Sequence, residues 1–89
     1  MITVGVLGYG YWGPNLVRNF AELPDARVVR VSDVRLDRLE RVTARYPATK
    51  VGTSANDVID DPSVDAVVIA TPVHTHFELG MAALRSGKH

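Results

Sequence analysis

The 89-residue sequence contains no cysteine, which excludes disulfides, a thiol nucleophile and thiolate metal ligands. Its longest purely apolar stretch, residues 66–70, is far shorter than the roughly 20 residues that cross a bilayer. Aromatic residues make up only 7%, and ten basic side chains balance ten acidic ones, which argues against binding by base stacking or by a positive field. We therefore expect neither a membrane nor a nucleic-acid partner.

The amino-terminal apolar run does not resemble a signal peptide. No basic region precedes it, and it is broken by glycines at positions 5, 8, 10 and 13. Together with the absence of cysteine, this predicts a cytoplasmic protein. A hydrophobic fraction of 46% at zero net charge predicts a folded chain, and the length supports one domain with one modest core.

Apolar and turn-forming segments alternate in a way that predicts strands and helices in turn. The predicted strands are residues 2–7, 26–32, 50–52 and 64–70, the last of them buried on both faces. The predicted helices begin at about Gly13, Leu36, Ser54 and Thr75, and they end before Pro24, before Pro47, at Ile59 and at Gly87. This alternation predicts an α/β fold with a three-layer parallel sheet of strand order 3-2-1-4.

Apolar residues at helical spacing indicate which helix faces are buried. The expected core stripes are Leu16, Phe20 and Leu23, then Leu36, Leu39, Val42 and Tyr46, then Phe77, Met81 and Leu84. The six arginines between Arg27 and Arg45 are interpreted mostly as a solvated face.

Gly8, Gly10 and Gly13 form a G-x-G-x-x-G pattern between the first predicted strand and the first predicted helix. A pyrophosphate needs unpaired backbone N–H groups and the positive end of a helix at contact distance, which side chains on this loop would block. The pattern therefore predicts a Rossmann-like dinucleotide site, with backbone N–H groups near Tyr11 and Trp12 facing the ligand. An ordinary strand-to-helix turn is the alternative.

Asp33 follows the second predicted strand, 20 residues after Gly13. Its carboxylate is suited to accept hydrogen bonds from the adenosine ribose hydroxyls and would repel a 2′-phosphate, so it favours NAD over NADP. Arg35 weakens this preference, because it can pair with a phosphate or stack on adenine. The alternatives are a turn or cap role for Asp33 and a solvated position for Arg35.

Hydroxyl and imidazole groups follow the last predicted strand in the segment TPVHTH, residues 71–76. Ligands of open α/β sheets bind at the carboxyl ends of the strands, so this segment is expected to face the glycine loop. The alternative is that Thr75 caps the last helix and His76 lies in its first turn. We predict no metal site, because no cysteine or nearby carboxylate completes a ligand set, and we find no catalytic constellation.

The sequence carries, in one order, VGVLGYGYWG at 4–13, Asp33, ATPVHTH at 70–76 and ALRSGKH at 83–89. With these segments it resembles, over its whole length, the N-terminal NAD(P)-binding domain of the Gfo/Idh/MocA oxidoreductases, which act on sugars, polyols and nucleotide-sugars. The stretch GYWGPN is similar to a branch that oxidises UDP-linked N-acetylated sugars. The resemblance implies that Gly8, Gly10 and Gly13 hold the pyrophosphate, Asp33 the adenosine ribose, and Thr71, Pro72 and His76 the nicotinamide half.

The resemblance also implies what the chain does not contain. Family members continue after Gly-Lys-His into a strand with Glu-Lys-Pro and then into a substrate domain that supplies a catalytic histidine. We therefore expect residues 1–89 to be an incomplete dinucleotide-binding domain of a homo-oligomeric dehydrogenase that binds cofactor without catalysing hydride transfer. The alternative is a non-catalytic module that senses dinucleotides or associates with itself through an unpaired edge of the last strand.

Overall fold

Strands and helices alternate along the chain in the computed structural model, which describes residues 2–10, 13–71 and 75–89. The strands are β1 (Ile2–Leu7), β2 (Ala26–Ser32), β3 (Lys50–Gly52) and β4 (Ala66–Ile69). The helices are α1 (Gly13–Glu22), α2 (Leu36–Arg45), α3 (Asn56–Ile59) and α4 (His76–Arg85). The first three strands coincide with the prediction.

The strands form one sheet of order β3-β2-β1-β4, and every neighbouring pair is parallel. This confirms the predicted α/β class and strand order. β1 lies in the interior of the sheet, where Val4 pairs with Val28 on one side and with Ala66 on the other. Because all strands run the same way, their carboxyl ends meet along one edge, where ligands of such sheets bind.

The two faces of the sheet carry separate hydrophobic clusters, so the predicted three layers are present. The cluster beneath α1 and α2 contains Val4, Val6, Tyr9, Val17, Val28, Val31, Leu39 and Val42. The cluster on the opposite face is built from Leu7, Val58, Ile59 and Val64, with Ala55, Leu79 and Ala82 packed against it. β1, β2 and β4 each contribute side chains to both clusters, so these three strands join the two layers.

The fourth strand is shorter and less buried than predicted. β4 pairs with β1 over residues 66–69, and all four of these residues are only half-buried. Val64 is buried, but its N–H closes a turn onto the carbonyl of Asp61 at 3.1 Å and so does not belong to the strand. The apolar run therefore includes a buried turn residue before the strand begins.

The free edge predicted for β4 is partly occupied. The N–H of His89 donates to the carbonyl of Asp65 at 3.1 Å, and the carbonyl of His89 accepts the N–H of Val67 at 2.7 Å. The neighbouring Lys88 is buried, and its ammonium donates to the carbonyls of Asp61 and Val64 at 2.6 Å each. Gly87, at φ +77°, ends α4 as predicted.

The stripe predicted to bury α4 is on the wrong face. Phe77 is 78% exposed and Leu84 66% exposed, whereas Ala83 is buried and Leu79 and Ala82 pack on the sheet. Residues 79, 82 and 83 also have helical spacing, so a second apolar stripe was available to face the sheet. Three other stripe residues differ from the prediction in the same way, since Leu23, Leu36 and Met81 are exposed.

The start of α3 lies one residue later than predicted. Ala55, and not Ser54, occupies the N-cap position. Ser54 still contributes, because its hydroxyl accepts the N–H of Asn56 at 3.2 Å while the Asp57 carboxylate accepts the N–H of Ser54 at 3.3 Å. Across the three described ranges, no helix has the length and hydropathy to cross a membrane.

Candidate functional site

A cavity of about 700 Å³ opens at the carboxyl ends of β1, β2 and β4. Four residues predicted from the sequence line it: Gly8, Gly10, Asp33 and Thr71. Gly13, Arg35 and His76 are described but lie outside its lining. The predicted contacts Tyr11, Trp12 and Pro72 fall outside the described residues.

Gly8 and Gly13 are required by the packing of the loop itself. Gly8 has φ +94°, and a Cβ there would lie 3.0 Å from the backbone of Ala70. A Cβ on Gly13 would lie 2.6 Å from the carbonyl oxygen of Gly8, closer than side-chain carbons approach a backbone oxygen. These two glycines allow β1, the start of α1 and the end of β4 to meet closely.

Gly10 differs from its two partners because, among the described residues, the atoms nearest to an added Cβ belong to a side chain and not to the backbone. They are guanidinium atoms of Arg38, the closest at 3.2 Å, and this is the mobile end of a long side chain. Gly10 also lines the cavity. The missing side chain therefore leaves room in the cavity for a ligand to approach the backbone.

Asp33 lines the cavity from the end of β2, with its side chain only 3% exposed. Its Oδ2 accepts the N–H of Tyr9 at 2.7 Å, and its Oδ1 accepts the N–H of Arg35 at 2.9 Å. A carboxylate can accept about four hydrogen bonds. Arg38 Nη1 donates two longer ones to the same group, at 3.3 Å to Oδ2 and 3.5 Å to Oδ1, so a ribose hydroxyl would have to replace these Arg38 bonds. Asp33 thus performs the turn role that was the alternative reading, and its predicted bond to ribose stays a prediction.

The arginine beside Asp33 is Arg38 and not Arg35. Arg35 is exposed and pairs with Asp37 at 3.2 Å, and its hydrogen bond holds the pKa of the Asp37 carboxyl below its usual range. Arg38 is half-buried, lines the cavity and places Nη1 3.3 Å from Asp33 Oδ2. The interpretation of the arginine group as a solvated face is therefore wrong for Arg38.

Arg30 is the second arginine that departs from the predicted solvated face. It is half-buried and pairs with Asp61 at 2.5 Å. Tyr9, next to the glycine loop, is buried in the cluster beneath α1 and α2, and this burial raises the pKa of its phenol. Both residues serve the fold around the site.

A small hydrogen-bond network fixes the start of α4 against the end of β4. The hydroxyls of Thr71 and Thr75 lie 2.6 Å apart, and His76 Nε2 lies 2.7 Å from the carbonyl oxygen of Thr71. Thr75 occupies the N-cap position without a side-chain cap bond, and His76 is the first helical residue. In the described chain, His76 therefore positions Thr71, which lines the cavity.

Sequence reasoning missed much of the cavity wall. The additional lining residues are Leu7, Ser32, Val34, Arg38, Thr53, Ala55, Ala70, Thr75, Glu78 and Leu79. Four of them, Thr53, Ala55, Ala70 and Thr75, directly follow a strand or lie at the N-cap of a helix, where ligands of such sheets are expected to bind. Glu78 and Arg38 lie within the first turn of their helices, a position that reaches the same edge. In this described part of the chain, no three histidine or acidic side chains form a metal-binding group.

The amino-acid sequence from residue 2 to residue 89 matches the model of the Gfo/Idh/MocA family, described as an oxidoreductase family with an NAD-binding Rossmann fold. The chain belongs to this family. This match confirms the resemblance to the Gfo/Idh/MocA oxidoreductases that the sequence predicted. It also confirms that these residues form the NAD-binding domain of the family.

Three individual relatives show how similar the chain is to known members of the family. The chain is 35% identical over 88 residues to the myo-inositol 2-dehydrogenase of Thermotoga maritima, covering 99% of this chain and 26% of that protein. It is 31% identical over 88 residues to a scyllo-inositol 2-dehydrogenase (NADP(+)) of Bacillus subtilis, covering 99% of this chain and 24% of the relative. The fold superposes with a TM-score of 0.93 and 26% identity on scyllo-inositol dehydrogenase from Lactobacillus casei, which was crystallised with NAD(H) and scyllo-inositol.

The superposition with the Lactobacillus casei enzyme covers all of this chain and 26% of that structure. The chain thus spans about a quarter of the length of the relatives it matches. What these residues share with the relatives is the dinucleotide-binding fold.

Proposed function

We propose that the chain binds NAD as part of an oxidoreductase that transfers hydride between a polyol or sugar carbon and nicotinamide. The observation that carries this proposal is Gly10, where the absent side chain opens the cavity beside the glycine loop and, among the described residues, the atoms nearest to an added Cβ belong to the Arg38 side chain and not to the backbone. When bound, the nicotinamide ring supplies the hydride acceptor. The residues of this chain bind and orient the rest of the dinucleotide.

The glycine loop supports binding of the pyrophosphate. Gly8 and Gly10 line the cavity, and α1 begins at Gly13, so the positive end of this helix lies next to the loop. The first turn of α1 contains no acidic residue to oppose an anion. Backbone N–H groups at a helix start bind phosphate without needing a net positive charge on the protein.

Asp33 and Arg38 together support a preference for NAD that is smaller than Asp33 alone would give. The Asp33 carboxylate offers acceptors to the adenosine ribose hydroxyls and repels a 2′-phosphate. Arg38, with Nη1 at 3.3 Å from this carboxylate, is a cation that a 2′-phosphate would attract. The two charges act in opposite directions, and we propose that the carboxylate dominates because it is the more buried of the two.

A polyol such as inositol is the substrate class that the relatives favour, since those described above are named as inositol dehydrogenases. The narrower proposal of a nucleotide-sugar substrate rests only on the similarity of the stretch GYWGPN to one branch of the family. Assays of the complete gene product with NAD and with myo-inositol, scyllo-inositol or a UDP-linked N-acetylated sugar distinguish these substrates by formation of NADH. Absence of NADH with every sugar and polyol would favour a non-catalytic sensing module.

We also propose a cytoplasmic, homo-oligomeric protein. The absence of cysteine from these residues supports the location. The exposed apolar side chains of α4, such as Phe77 and Leu84, support association with further protein surface. Sedimentation of the complete gene product tests the assembly, and a monomer at high concentration would contradict it.

The central test is a calorimetric titration of NAD into the 89-residue chain and into its Gly10→Ala variant. The added methyl group fills space in the cavity while only the end of Arg38 has to move, so we expect the affinity to fall about tenfold or more and the fold to remain. Gly80→Ala is the matched control, because a Cβ there would meet only Ile69 at 4.0 Å.

NAD binding that is unchanged in Gly10→Ala would contradict the assignment of this loop to the cofactor. Loss of binding in Gly80→Ala as well would show that the effect is not local to the loop. Circular dichroism of both variants verifies that each is folded before the affinities are compared.

A further inference from the structure

Helix α4 carries apolar side chains on two opposite sides. On the inner side, Leu79 and Ala82 pack against the sheet and Ala83 is buried. A second apolar stripe consists of Phe77, Met81 and Leu84, which are 78%, 36% and 66% exposed. At 3.6 residues per turn, these three lie within roughly 60° of one another and on the side of α4 that points away from the sheet. A helix that is apolar on two opposite sides is suited to lie between two protein layers, of which the sheet provides one.

Two oppositely charged side chains lie beside the outer stripe, one at each end of α4. Glu78 is in the first turn and Arg85 in the last turn, and both are exposed. Because they are seven positions apart, they lie on the same flank of the helix but roughly 10 Å from each other along its axis, too far to pair. In the part of the chain that the structure describes, neither belongs to a salt bridge. The flank therefore has a negative end and a positive end.

This arrangement is complementary to a second copy of itself in the antiparallel orientation. Phe77 and Leu84 lie four and three positions on either side of Met81, so a two-fold axis at Met81 places each of them opposite the other residue type of the second copy. Glu78 and Arg85 lie three and four positions from Met81, so the same axis brings each carboxylate towards a guanidinium. A parallel pair of helices would instead oppose like charges at both ends.

The size of the stripe limits how tightly two copies can bind. α4 has ten residues and is therefore only about 15 Å long, and three apolar side chains form the centre of the contact. A stable complex buries roughly 800 Å² on each partner, which is more than one face of so short a helix offers. We therefore expect a reversible dimer with a dissociation constant on the order of 100 µM.

We propose that α4 is a surface through which this chain associates with a second copy of itself. The two α4 helices pack antiparallel, with the stripe of Phe77, Met81 and Leu84 at the centre and a pair of Glu78 with Arg85 at each end. This inference rests on the homo-oligomer in the proposed function and names the surface that forms it. It requires no bound dinucleotide.

The first experiment is sedimentation equilibrium of the 89-residue chain from about 10 µM to about 1 mM, which spans the expected dissociation constant. Leu84→Gln should weaken the dimer at least about tenfold, because each dimer loses two apolar contacts at its centre. Leu36→Gln is the matched control, since Leu36 on α2 is also a leucine that is 66% exposed. It should dimerise as the unmodified chain does.

The second experiment tests the charge pairs and the orientation. In Glu78→Arg both flanking charges are positive, and in Arg85→Glu both are negative, so two identical copies of either variant repel each other. We expect each variant alone to dimerise at least about tenfold more weakly than the unmodified chain. An equimolar mixture restores opposite charges at both ends and should associate to within about threefold of the unmodified chain. Circular dichroism verifies that every variant is folded.

Several results would overturn the inference. These are a chain that stays monomeric up to about 1 mM, a dimer that persists in Leu84→Gln, equal weakening in Leu36→Gln, or a mixture of the two charge variants that does not associate. A dimer that persists in Leu84→Gln would place the association on another surface, such as the edge of β4. Calorimetric titration of the same samples with NAD separates this inference from the cofactor proposal, because a monomer that binds NAD contradicts only the role of α4.

Discussion

The carboxylate of Asp33 accepts the backbone N–H of Tyr9 at 2.7 Å, although the two residues are 24 positions apart in sequence. Asp33 is the first residue after β2, and Tyr9 lies in the loop that follows β1. Beside this bond, the N–H of Gly8 donates to the carbonyl of Ser32 at 2.7 Å. The glycine loop is therefore held to the end of β2 by one backbone bond and one side-chain bond.

Asp33→Asn is expected to destabilise the chain by about 1–3 kcal/mol, measured by urea unfolding. Asparagine has one carbonyl oxygen, so its amide NH₂ would face the N–H of either Tyr9 or Arg35, and one buried donor would lose its acceptor. Asp37→Asn is the matched control, because Asp37 is exposed and pairs only with exposed Arg35. If both variants shift the unfolding midpoint equally, the hydrogen bonds to Asp33 do not contribute the expected stability.

Gly13→Ala is expected to cost about 1–3 kcal/mol of stability, because the new Cβ would lie 2.6 Å from the carbonyl oxygen of Gly8 and the backbone must move. Gly10→Ala, where only the end of Arg38 lies nearby, should unfold at nearly the same urea concentration as the unmodified chain. Equal destabilisation of the two variants would show that the loop glycines serve the same purpose.

Arg38→Ala is expected to lower the affinity for NADP about tenfold or more and to change the affinity for NAD by about twofold at most. The reason is that the Arg38 guanidinium lies beside Asp33 in the cavity, where it can attract a 2′-phosphate. Calorimetric titration with both dinucleotides tests this, with Arg41→Ala, an exposed position on the same helix, as control. Equal losses for the two cofactors would rule out a selective role for Arg38.

Acid is expected to destabilise the chain partly through Asp61. Hydrogen bonds from Ser63 and Arg30 hold the pKa of the Asp61 carboxyl far below its usual range. A lowered pKa in the folded state stabilises the chain above the unfolded-state pKa of about 3.9, and this contribution is lost as the pH falls through the folded-state value.

Asp61→Asn should therefore unfold more easily than the unmodified chain at pH 7, and the difference should shrink as the pH is lowered below about 4. Urea unfolding at pH 7 and pH 3 measures the difference in the free energy of unfolding between the two chains. Asp60→Asn, at the adjacent exposed position, is the control. A difference that is the same at both pH values would show that protonation of Asp61 is not coupled to the stability of the fold.

The sequence was sufficient to predict β1, β2 and β3 and the strand order, because apolar runs, glycine and proline positions and strand–helix alternation are local signals. It was not sufficient to predict which face of α4 is buried. Two sets of apolar residues have helical spacing there, and only tertiary packing decides that the set around Ala83 faces the sheet while Phe77 is exposed.

For the candidate site, the sequence correctly brought Gly8, Gly10, Asp33 and Thr71 to one cavity. It did not single out Arg38, because which arginine side chain lies beside Asp33 depends on where α2 begins relative to that residue. The predicted contact of Arg35 with a ligand stays a prediction. Arg35 precedes the helix and turns to Asp37, whereas Arg38 in the first turn reaches the glycine loop. Such side-chain choices are made by packing and cannot be derived from spacing alone.

The place of β1 inside the sheet has a consequence for how the chain folds. Its pairing with β2 and the eight buried residues of the cluster beneath α1 and α2 use only the first half of the sequence, and the half-buried Val51 and Val68 pack against this cluster from later in the chain. Its pairing with β4, in which Val4 meets Ala66, closes a far longer loop and so costs more chain entropy. The layer beneath α1 and α2 can therefore assemble while the chain is still being synthesised, whereas the layer that contains α3 and α4, and with it the cavity, waits for the last third of the chain.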